Sequence, residues 1–292
     1  MPLIDNPEYL VVINQSMPEP TGAAGRKIEV HTTETGFFKT LGTRARAAGL
    51  HLLASVSIAA VVAILVFAFW YPGDYRLLAG GAELFTLVMV VDVVMGPLLT
   101  FVVYDRAKGV SHLRRDISVI VLLQMIALSY GLHAMYMGRP IGLAFEFDRF
   151  RVVSMAEVVV AELPQAPPLF RRLPLDGPML FAVRKSNTPE ERADALNASI
   201  FQGVDNGQRP KFWIPYDEHA RAQAVAAGRP LDILVSRYPS AKIAVDRMRA
   251  AIEAPNDRDG LRFLPVRAKH DAVVVLTHNG EIVEFLSYDG FF

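Results

Sequence analysis

Hydrophobic residues are concentrated in three long stretches in the first half of the chain. They run from about Leu50 to Tyr71, from about Leu84 to Tyr104 and from about Ile117 to Met137. Each is long enough to cross about 30 Å of hydrocarbon as a helix that rises about 1.5 Å per residue. Aromatic residues at Phe69-Trp70-Tyr71 end the first stretch, as is typical of a membrane interface. The pattern therefore predicts a three-helix transmembrane bundle over residues 47–138.

Shorter patterns follow over residues 139–292. Apolar residues alternate with others from Leu143 to Val152, which predicts one strand, and the prolines from Pro164 to Pro178 argue against regular structure. The capping box Thr188-Pro189-Glu190-Glu191 predicts a helix to about Phe201. Asn279-Gly280 lies between two apolar runs and is the strongest short hairpin signal. We therefore expect an α+β domain that ends in a β-hairpin.

Two more helices are predicted in this domain, over about Asp217–Ala227 and about Ser240–Glu253. The later one should partly bury Ile243, Val245, Met248 and Ile252. The run Asp217-Glu218-His219 invites a catalytic interpretation. Adjacent residues point to different sides of a helix, however, and acidic residues in a first turn suit the helix dipole. We expect a helix start there.

Residues 1–46 combine a β-prone run from Glu8 to Asn14 with turn-rich residues from Pro18 to Gly25. We interpret them as a weakly ordered extension ahead of the first transmembrane helix.

Charged residues are scarce in the three apolar stretches and ordinary elsewhere. Residues 47–138 hold ten charged residues, about 11% of that segment, against 21% for the whole chain. A typical soluble domain carries about 25%. The distribution excludes a single soluble domain and also a transporter that fills the whole chain.

Basic residues predict the orientation. Those at one end of the bundle are Lys39, Arg44, Arg46, Arg106, Lys108, Arg114 and Arg115, and the loop at the other end carries only Arg76. Positively charged loops stay in the cytoplasm. We therefore expect a bacterial inner-membrane protein with a cytoplasmic N-terminus and a periplasmic α+β domain.

The remaining composition argues against several kinds of site. The 30 basic and 30 acidic residues cancel, which leaves no electrostatic signature of nucleic-acid binding. The chain has no cysteine, so disulfides, thiolate zinc sites and thiol nucleophiles are excluded. We find no G-x-S-x-G, H-E-x-x-H, P-loop or G-x-G-x-x-G motif. We expect no cofactor, no metal and no catalytic centre.

Asp92 is the acidic residue inside the second stretch. A carboxylate near mid-bilayer costs about 2.5–3.5 kcal/mol, so Asp92 should face protein. Counting from the ends of the stretches places Ser129 and Tyr130 at its depth, and we expect a hydrogen bond to one of them. Asp92 then has three possible roles: holding the bundle together, receiving a partner's transmembrane helix, or carrying protons or ions.

Gly96 and Pro97 follow Asp92 by one turn. Proline lacks an N–H, which leaves the carbonyl of Val93 without its helical donor and predicts a kink. Small residues also recur every four positions in the first stretch, at Ser55, Ala59 and Ala63, where they allow another backbone to approach closely. Internal packing and docking of a foreign helix both account for these features.

Other polar and aromatic residues carry weaker signals. His51, Gln124 and His133 lie at different depths, so we expect no metal site or proton path among them. Trp213 and Tyr216 belong to an aromatic run after a turn. They are either core residues or contacts to a partner.

A set of short motifs spans residues 49–153. They are His51-Leu52-Leu53-Ala54-Ser55, Trp70-Tyr71-Pro72, Val91-Asp92-Val93-Val94-Met95-Gly96-Pro97-Leu98-Leu99-Thr100, Asp116-Ile117-Ser118-Val119-Ile120, Leu123-Gln124, Ala127-Leu128-Ser129-Tyr130-Gly131, Gly138-Arg139-Pro140 and Phe147-Asp148-Arg149-Phe150. With these motifs the chain resembles the type IV pilin accessory proteins of the TfpX/TfpZ family. The resemblance is looser over the α+β domain, and residues 1–46 depart from the family pattern.

The resemblance implies an inner-membrane protein that assists the assembly or dynamics of type IV pili, with pilin or the pilus assembly machinery as its partner. Pilin subunits wait in the inner membrane with an apolar helix and a periplasmic head. A bundle with an attached periplasmic domain is suited to engage both parts. We therefore expect a non-catalytic, chaperone-like accessory factor. Two other classes remain open, a membrane-anchored periplasmic sensor and an envelope enzyme acting on pilin or its glycans.

Overall fold

The computed structural model describes residues 34–104, 109–252, 258 and 260–292. The strand expected at Glu8–Asn14 and the basic residues Arg106 and Lys108 lie outside these ranges.

Three long helical segments form a bundle. They comprise α1 (Glu34–Leu65) with a π-helical turn (Val66–Trp70); the single turn α2 (Tyr75–Leu78); α3 (Gly81–Val90), a π-helical segment (Val91–Met95) and α4 (Gly96–Val103); and α5 (Val110–Gly138). The segments Leu41–Trp70, Gly81–Val103 and Val110–Gly138 are long and apolar enough to cross a membrane. Each begins before its predicted stretch, because the helices include polar and small residues that precede the apolar run.

The sheet domain begins directly after α5. Its strands are β1 (Pro140–Phe145), β2 (Phe150–Ser154), β3 (Met179–Val183), β4 (Trp213–Pro215), β5 (Arg229–Pro230), β6 (Arg262–Arg267), β7 (Ala272–Leu276) and β8 (Ile282–Leu286). They form a mixed sheet in the order β4-β3-β1-β2-β6-β7-β8, with β5 paired to β6. The pairs β1–β3 and β2–β6 are parallel, and the other pairs are antiparallel.

Helices cover both faces of this sheet. They are α6 (Pro189–Asn197), α7 (Glu218–Ala227), α8 (Leu231–Arg237) and α9 (Ala241–Ala251). Strand β7, which lies between β6 and β8, is buried on both faces, with Val274 and Leu276 in the core on the α7 side and Val273 and Val275 in the core under α8 and α9. A mixed sheet domain with helices therefore follows three long apolar helices, and the predicted terminal hairpin is confirmed as β7–β8.

Several details differ from the prediction. The expected single strand over 143–152 is the hairpin β1–β2, which reverses direction around Phe147, whose φ is +64°. The proline-rich segment contains short 3-10 helices (Val160–Gln165 and Pro168–Phe170). Ile243 is 81% exposed, because α9 packs through Val245 and Met248 and Ile243 lies on its opposite side.

The sheet domain is attached to the bundle through the loop between α1 and α3. Leu78 of α2 is buried in the sheet-domain core, and its carbonyl accepts from Lys269 N at 3.0 Å. The ammonium of Lys269 lies 2.8 Å from the carboxylate of Glu83. The Tyr71 hydroxyl donates to Met135 O at 2.8 Å. These contacts place the α1–α3 loop and the sheet domain at the same end of the bundle.

Candidate functional site

Four polar residues from the three long segments meet inside the bundle. Nδ1 of His51 on α1 lies 2.6 Å from the hydroxyl of Thr100 on α4, and its Nε2 lies 2.8 Å from Oε1 of Gln124 on α5. The Gln124 amide nitrogen donates to the main-chain oxygen of Asp92 at 3.0 Å. A main-chain oxygen only accepts, so the amide orientation is fixed; His51 Nε2 is then the donor to Gln124. We call these four residues the polar cluster.

The sequence around Pro97 explains why the polar cluster forms. In a π-helical segment each N–H bonds a carbonyl five residues earlier. Pro97 has no N–H, so in that register the carbonyl of Asp92 loses its helical donor. Gln124 supplies the missing donor, and Gly96 makes room for it, because a Cβ at Gly96 would collide with the Gln124 side chain. Gln124 therefore bonds the carbonyl of Asp92, one residue before the Val93 carbonyl that an α-helical register would free.

The Asp92 side chain has a different environment from the one we predicted. Asp92 is 8% exposed, and its Oδ1 has no hydrogen-bond partner among the described residues. The Ser129 hydroxyl donates instead to Met125 O of its own helix, and Tyr130 is 76% exposed. The expected bond from Asp92 to Ser129 or Tyr130 is thus wrong.

Helix rotation is the physical reason for this error. Counting residues gives depth along a helix but not the side of the helix on which a residue lies. The inward face of α5 carries Gln124, Leu128 and Gly131, at the three- and four-residue spacing of one helix face. Ser129 and Tyr130 follow Leu128 by about 100° and 200° and therefore point away.

The prediction that the polar residues do not converge also needs correction. His51 and Gln124 are hydrogen-bonded, whereas His133 is exposed and outside the polar cluster. Thr100 was not singled out from the sequence. The proline kink does offer a signal for Gln124, because a carbonyl that loses its helical donor favours a donor from a neighbouring helix. Among the described residues there is no group of three or more His, Cys, Asp or Glu side chains able to hold a metal.

A half-open cavity of about 860 Å³ lies next to the polar cluster. One wall is α1 from Gly42 to Ala59, the other wall is α5 from Ile117 to Leu128, and Asp92 and Thr100 lie on the floor. We call this cavity the bundle groove. Ser55 and Ala59 line it, whereas Ala63 lies half-buried beyond its end. Two of the three small residues predicted to allow close approach therefore face an open space.

The aromatic candidates of the sheet domain lie in its core. Trp213 is buried and donates to Gly207 O at 2.8 Å, and Tyr216 is buried and donates to Gly280 O at 2.9 Å. Burial raises the pKa of Tyr216 to about 12. Of the two alternatives that the sequence left open, this placement favours core residues over partner contacts, because the apolar faces of both rings are covered by the sheet domain.

An exposed apolar patch lies elsewhere on the sheet domain, at the end of α6. Leu196, Ile200 and Phe201 are exposed there, Phe201 by 80%. Leu196 borders a second cavity, of about 730 Å³. Clustered exposed apolar residues of this kind mark interaction surfaces.

Charged groups fix the structure around this second cavity. Arg151 is buried and pairs with both Glu146 and Asp205. Burial raises the pKa of Glu146, and Arg151 opposes that shift. Such pairs hold the β1–β2 turn against the loop that follows α6.

The start of α6 is held by a second ion pair. Arg184 donates to both carboxylate oxygens of Glu191, at 2.9 and 2.7 Å. These bonds, with one from the Asn187 amide, lower the pKa of Glu191 to about 2. Thr188 accepts from Glu191 N at 3.2 Å, which confirms the predicted cap.

Known proteins match the chain over most of its length. It is 35% identical over 249 residues to the fimbrial assembly protein of serogroup I of Dichelobacter nodosus. This match covers 85% of this chain and 96% of that protein. The chain belongs to the fimbrial assembly protein family. The fimbrial assembly protein of serogroup E1 of the same organism is 34% identical over 249 residues, which again are 85% of this chain and 96% of the relative. The family model of fimbrial assembly protein FimB matches residues 39–80, which include most of α1.

A third fimbrial assembly protein of Dichelobacter nodosus, from serogroups C1 and C2, is 38% identical over 122 residues. That match covers 42% of this chain and 93% of the relative. No solved structure matches the chain. The fimbrial assembly family confirms the resemblance to type IV pilus accessory proteins and gives the chain a role in fimbrial biogenesis.

Proposed function

We propose that this fimbrial assembly family member is a non-catalytic inner-membrane accessory factor that contacts pilin during type IV pilus biogenesis. The observation that carries the proposal is the match to fimbrial assembly proteins over 85% of the chain. The three helices long enough to cross a membrane add to it, since pilin subunits wait in the same membrane. A bundle with an attached head suits a protein that holds both parts of a subunit.

The proposal includes a domain assignment. Residues 1–46 form a cytoplasmic extension, residues 47–138 the three-span transmembrane domain and residues 139–292 a periplasmic domain. The end of the bundle away from the sheet domain carries three arginines. They are Arg46 near the start of the first apolar segment, and Arg114 and Arg115 near the start of α5. The positive-inside rule favours a cytoplasmic location for that end.

The described side chains favour a binding role over a catalytic one. In the polar cluster, three of the four side chains are engaged in bonds between helices. Asp217 caps α7 by accepting from Ala220 N at 3.0 Å, and neither Asp217 nor His219 lines the two cavities described above. These groups support helix ends and helix contacts, which is what an assembly factor requires.

The attachment of the sheet domain supports concerted binding. The α1–α3 loop is bonded to both the bundle and the sheet domain, through Tyr71 and Leu78. A partner that contacts the exposed patch at Phe201 is therefore held at a set distance from the bundle. A subunit with a helix and a head is the kind of partner that this arrangement accommodates.

Deleting the gene and crosslinking the full-length protein in piliated cells would test the proposal. We expect deletion to lower the number of surface pili and a photo-reactive residue in place of Phe201 to form an adduct with pilin. The matched control is Ile243, which is exposed on α9 away from the patch. Normal pilus number after deletion, together with no pilin adduct from Phe201, would contradict the proposal.

A further inference from the structure

The bundle groove has the dimensions of an elongated occupant. Its α1 wall runs from Gly42 to Ala59, about 26 Å at about 1.5 Å per residue. The wall residues follow helical spacing, and several are small, including Ala47, Ala54 and Ser55. A small-residue wall lets another backbone approach within close packing distance.

The floor of the bundle groove carries an unsatisfied polar atom. Asp92 is more than nine-tenths buried, and its Oδ1 has no partner among the described residues. The other side chains of the polar cluster have partners, since His51 bonds both Thr100 and Gln124. Buried polar groups are hydrogen-bonded in stable structures, and Asp92 lines the groove, so its carboxylate is suited to a donor that enters there.

That requirement separates the possible occupants. A lipid acyl chain fits a long apolar groove but brings no donor to Asp92. A second copy of this chain related by a two-fold axis would bring a second Asp92 to the same depth, which adds an acceptor. A single transmembrane helix with one hydroxyl or amino group on its packing face supplies both the length and the donor.

We propose that the bundle groove seats the transmembrane helix of a pilin subunit, with a hydroxyl or amino group of that helix donating to Asp92. This inference rests on the proposed function, because that function supplies pilin as the helix in the same membrane. The juxtaposition that carries it is Asp92, which has an unpaired carboxylate oxygen, on the floor of a groove of helical length.

Two alanines of α1 provide a matched test. Ala54 lines the bundle groove, whereas Ala60 is exposed and outside it, about 240° further around the helix. A photo-reactive residue is placed at either position in full-length protein co-expressed with pilin. We expect a pilin adduct from position 54 and little from position 60. A lipid adduct or a homodimer from position 54 would overturn the inference.

Substitutions then test the contacts. Ala54→Leu fills the groove and should lower co-purification of pilin by about fivefold or more, because overpacking of this size costs at least about 1 kcal/mol. The same substitution at Ala60 should leave co-purification unchanged. Asp92→Leu removes the acceptor and should lower co-purification by about threefold to about twentyfold, the range for one hydrogen bond between membrane helices.

The experiment distinguishes failure of this inference from failure of the proposed function. Pilin adducts from position 201 without any from position 54 would support the proposed function but contradict the inference that the bundle groove seats the pilin helix. The Ala54→Leu result does not depend on the polar cluster, so it remains decisive if Asp92→Leu impairs folding. Equal co-purification from Ala54→Leu and Ala60→Leu protein would also overturn the inference.

Discussion

Replacing Gln124 with leucine should loosen the contact between the three long helical segments. The leucine side chain occupies a similar volume but neither donates nor accepts. It removes the 2.8 Å bond to His51 and the 3.0 Å bond to the Asp92 carbonyl. His51 then loses its acceptor, and the carbonyl freed by Pro97 loses its donor.

Two hydrogen bonds set the size of this effect. Side-chain hydrogen bonds between membrane helices contribute about 0.6 kcal/mol on average and at most about 1.7 kcal/mol. Loss of two such bonds therefore lowers the free energy of unfolding by about 1–3 kcal/mol. Leucine gains no compensating hydrophobic energy, because lipid and protein interior are similarly apolar.

Unfolding of the purified full-length protein in mixed micelles with increasing SDS measures this difference. The matched control is Ser129→Ala, which removes the 2.7 Å hydroxyl bond to Met125 O within α5. Ser129 is exposed and its bond lies within one helix, so this substitution should change the free energy of unfolding by no more than about 0.5 kcal/mol. An SDS midpoint for the Gln124→Leu protein equal to that of the wild type would refute the role of the polar cluster.

Three further outcomes follow. Gly96→Ala should lower the free energy of unfolding by about 1–3 kcal/mol in the same SDS titration, because the added methyl group collides with the Gln124 amide. The control Gly49→Ala should be neutral or stabilising, because the space around Gly49 is open and alanine favours a helix. Trp213→Ala should destabilise the sheet domain by about 3–5 kcal/mol in a thermal melt, against no more than about 0.5 kcal/mol for Phe201→Ala. The ion pair of Arg184 and Glu191 should stabilise the start of α6 fully above a pH of about 4.5. This stabilisation should be lost as the pH falls toward about 2, because the pKa of Glu191 in the folded protein lies below its ordinary value. Hydrogen exchange of the Asn187 main-chain amide, which donates to Glu191, measures the effect, and unchanged protection over that pH range would count against the pair.

The bundle was predictable because its signal is long. Residues 50–71, 84–104 and 117–137 are each about 20 positions long and mostly apolar, and no local preference competes with such a run. Local chemistry also predicted the Thr188 cap and the hairpin at Asn279-Gly280, since each depends on a few adjacent residues. The family resemblance, which the relatives confirm, came from motifs in the same membrane segments.

The errors arose where contacts between distant residues decide the structure. The hydrogen bond from Gln124 to the Asp92 carbonyl depends on the rotation of α5 and on the π-helical register near Pro97. Counting residues from the ends of the helices predicts neither of these. The strand predicted over 143–152 divided into two because Phe147 adopts a positive φ that its residue type does not favour. The burial of Trp213 depends on the order of strands in the sheet.

A disulfide scan between this chain and pilin tests the central claim most directly. The chain has no cysteine, so a cysteine at Ile58 in the bundle groove is its one reactive thiol. Single cysteines are then moved along the transmembrane helix of pilin. We predict that the cysteine at position 58 forms disulfides with pilin positions on one face of that helix, spaced by three or four residues. A cysteine at position 60 should form none. Disulfides without this periodicity, or formed equally from Ala60, would contradict it.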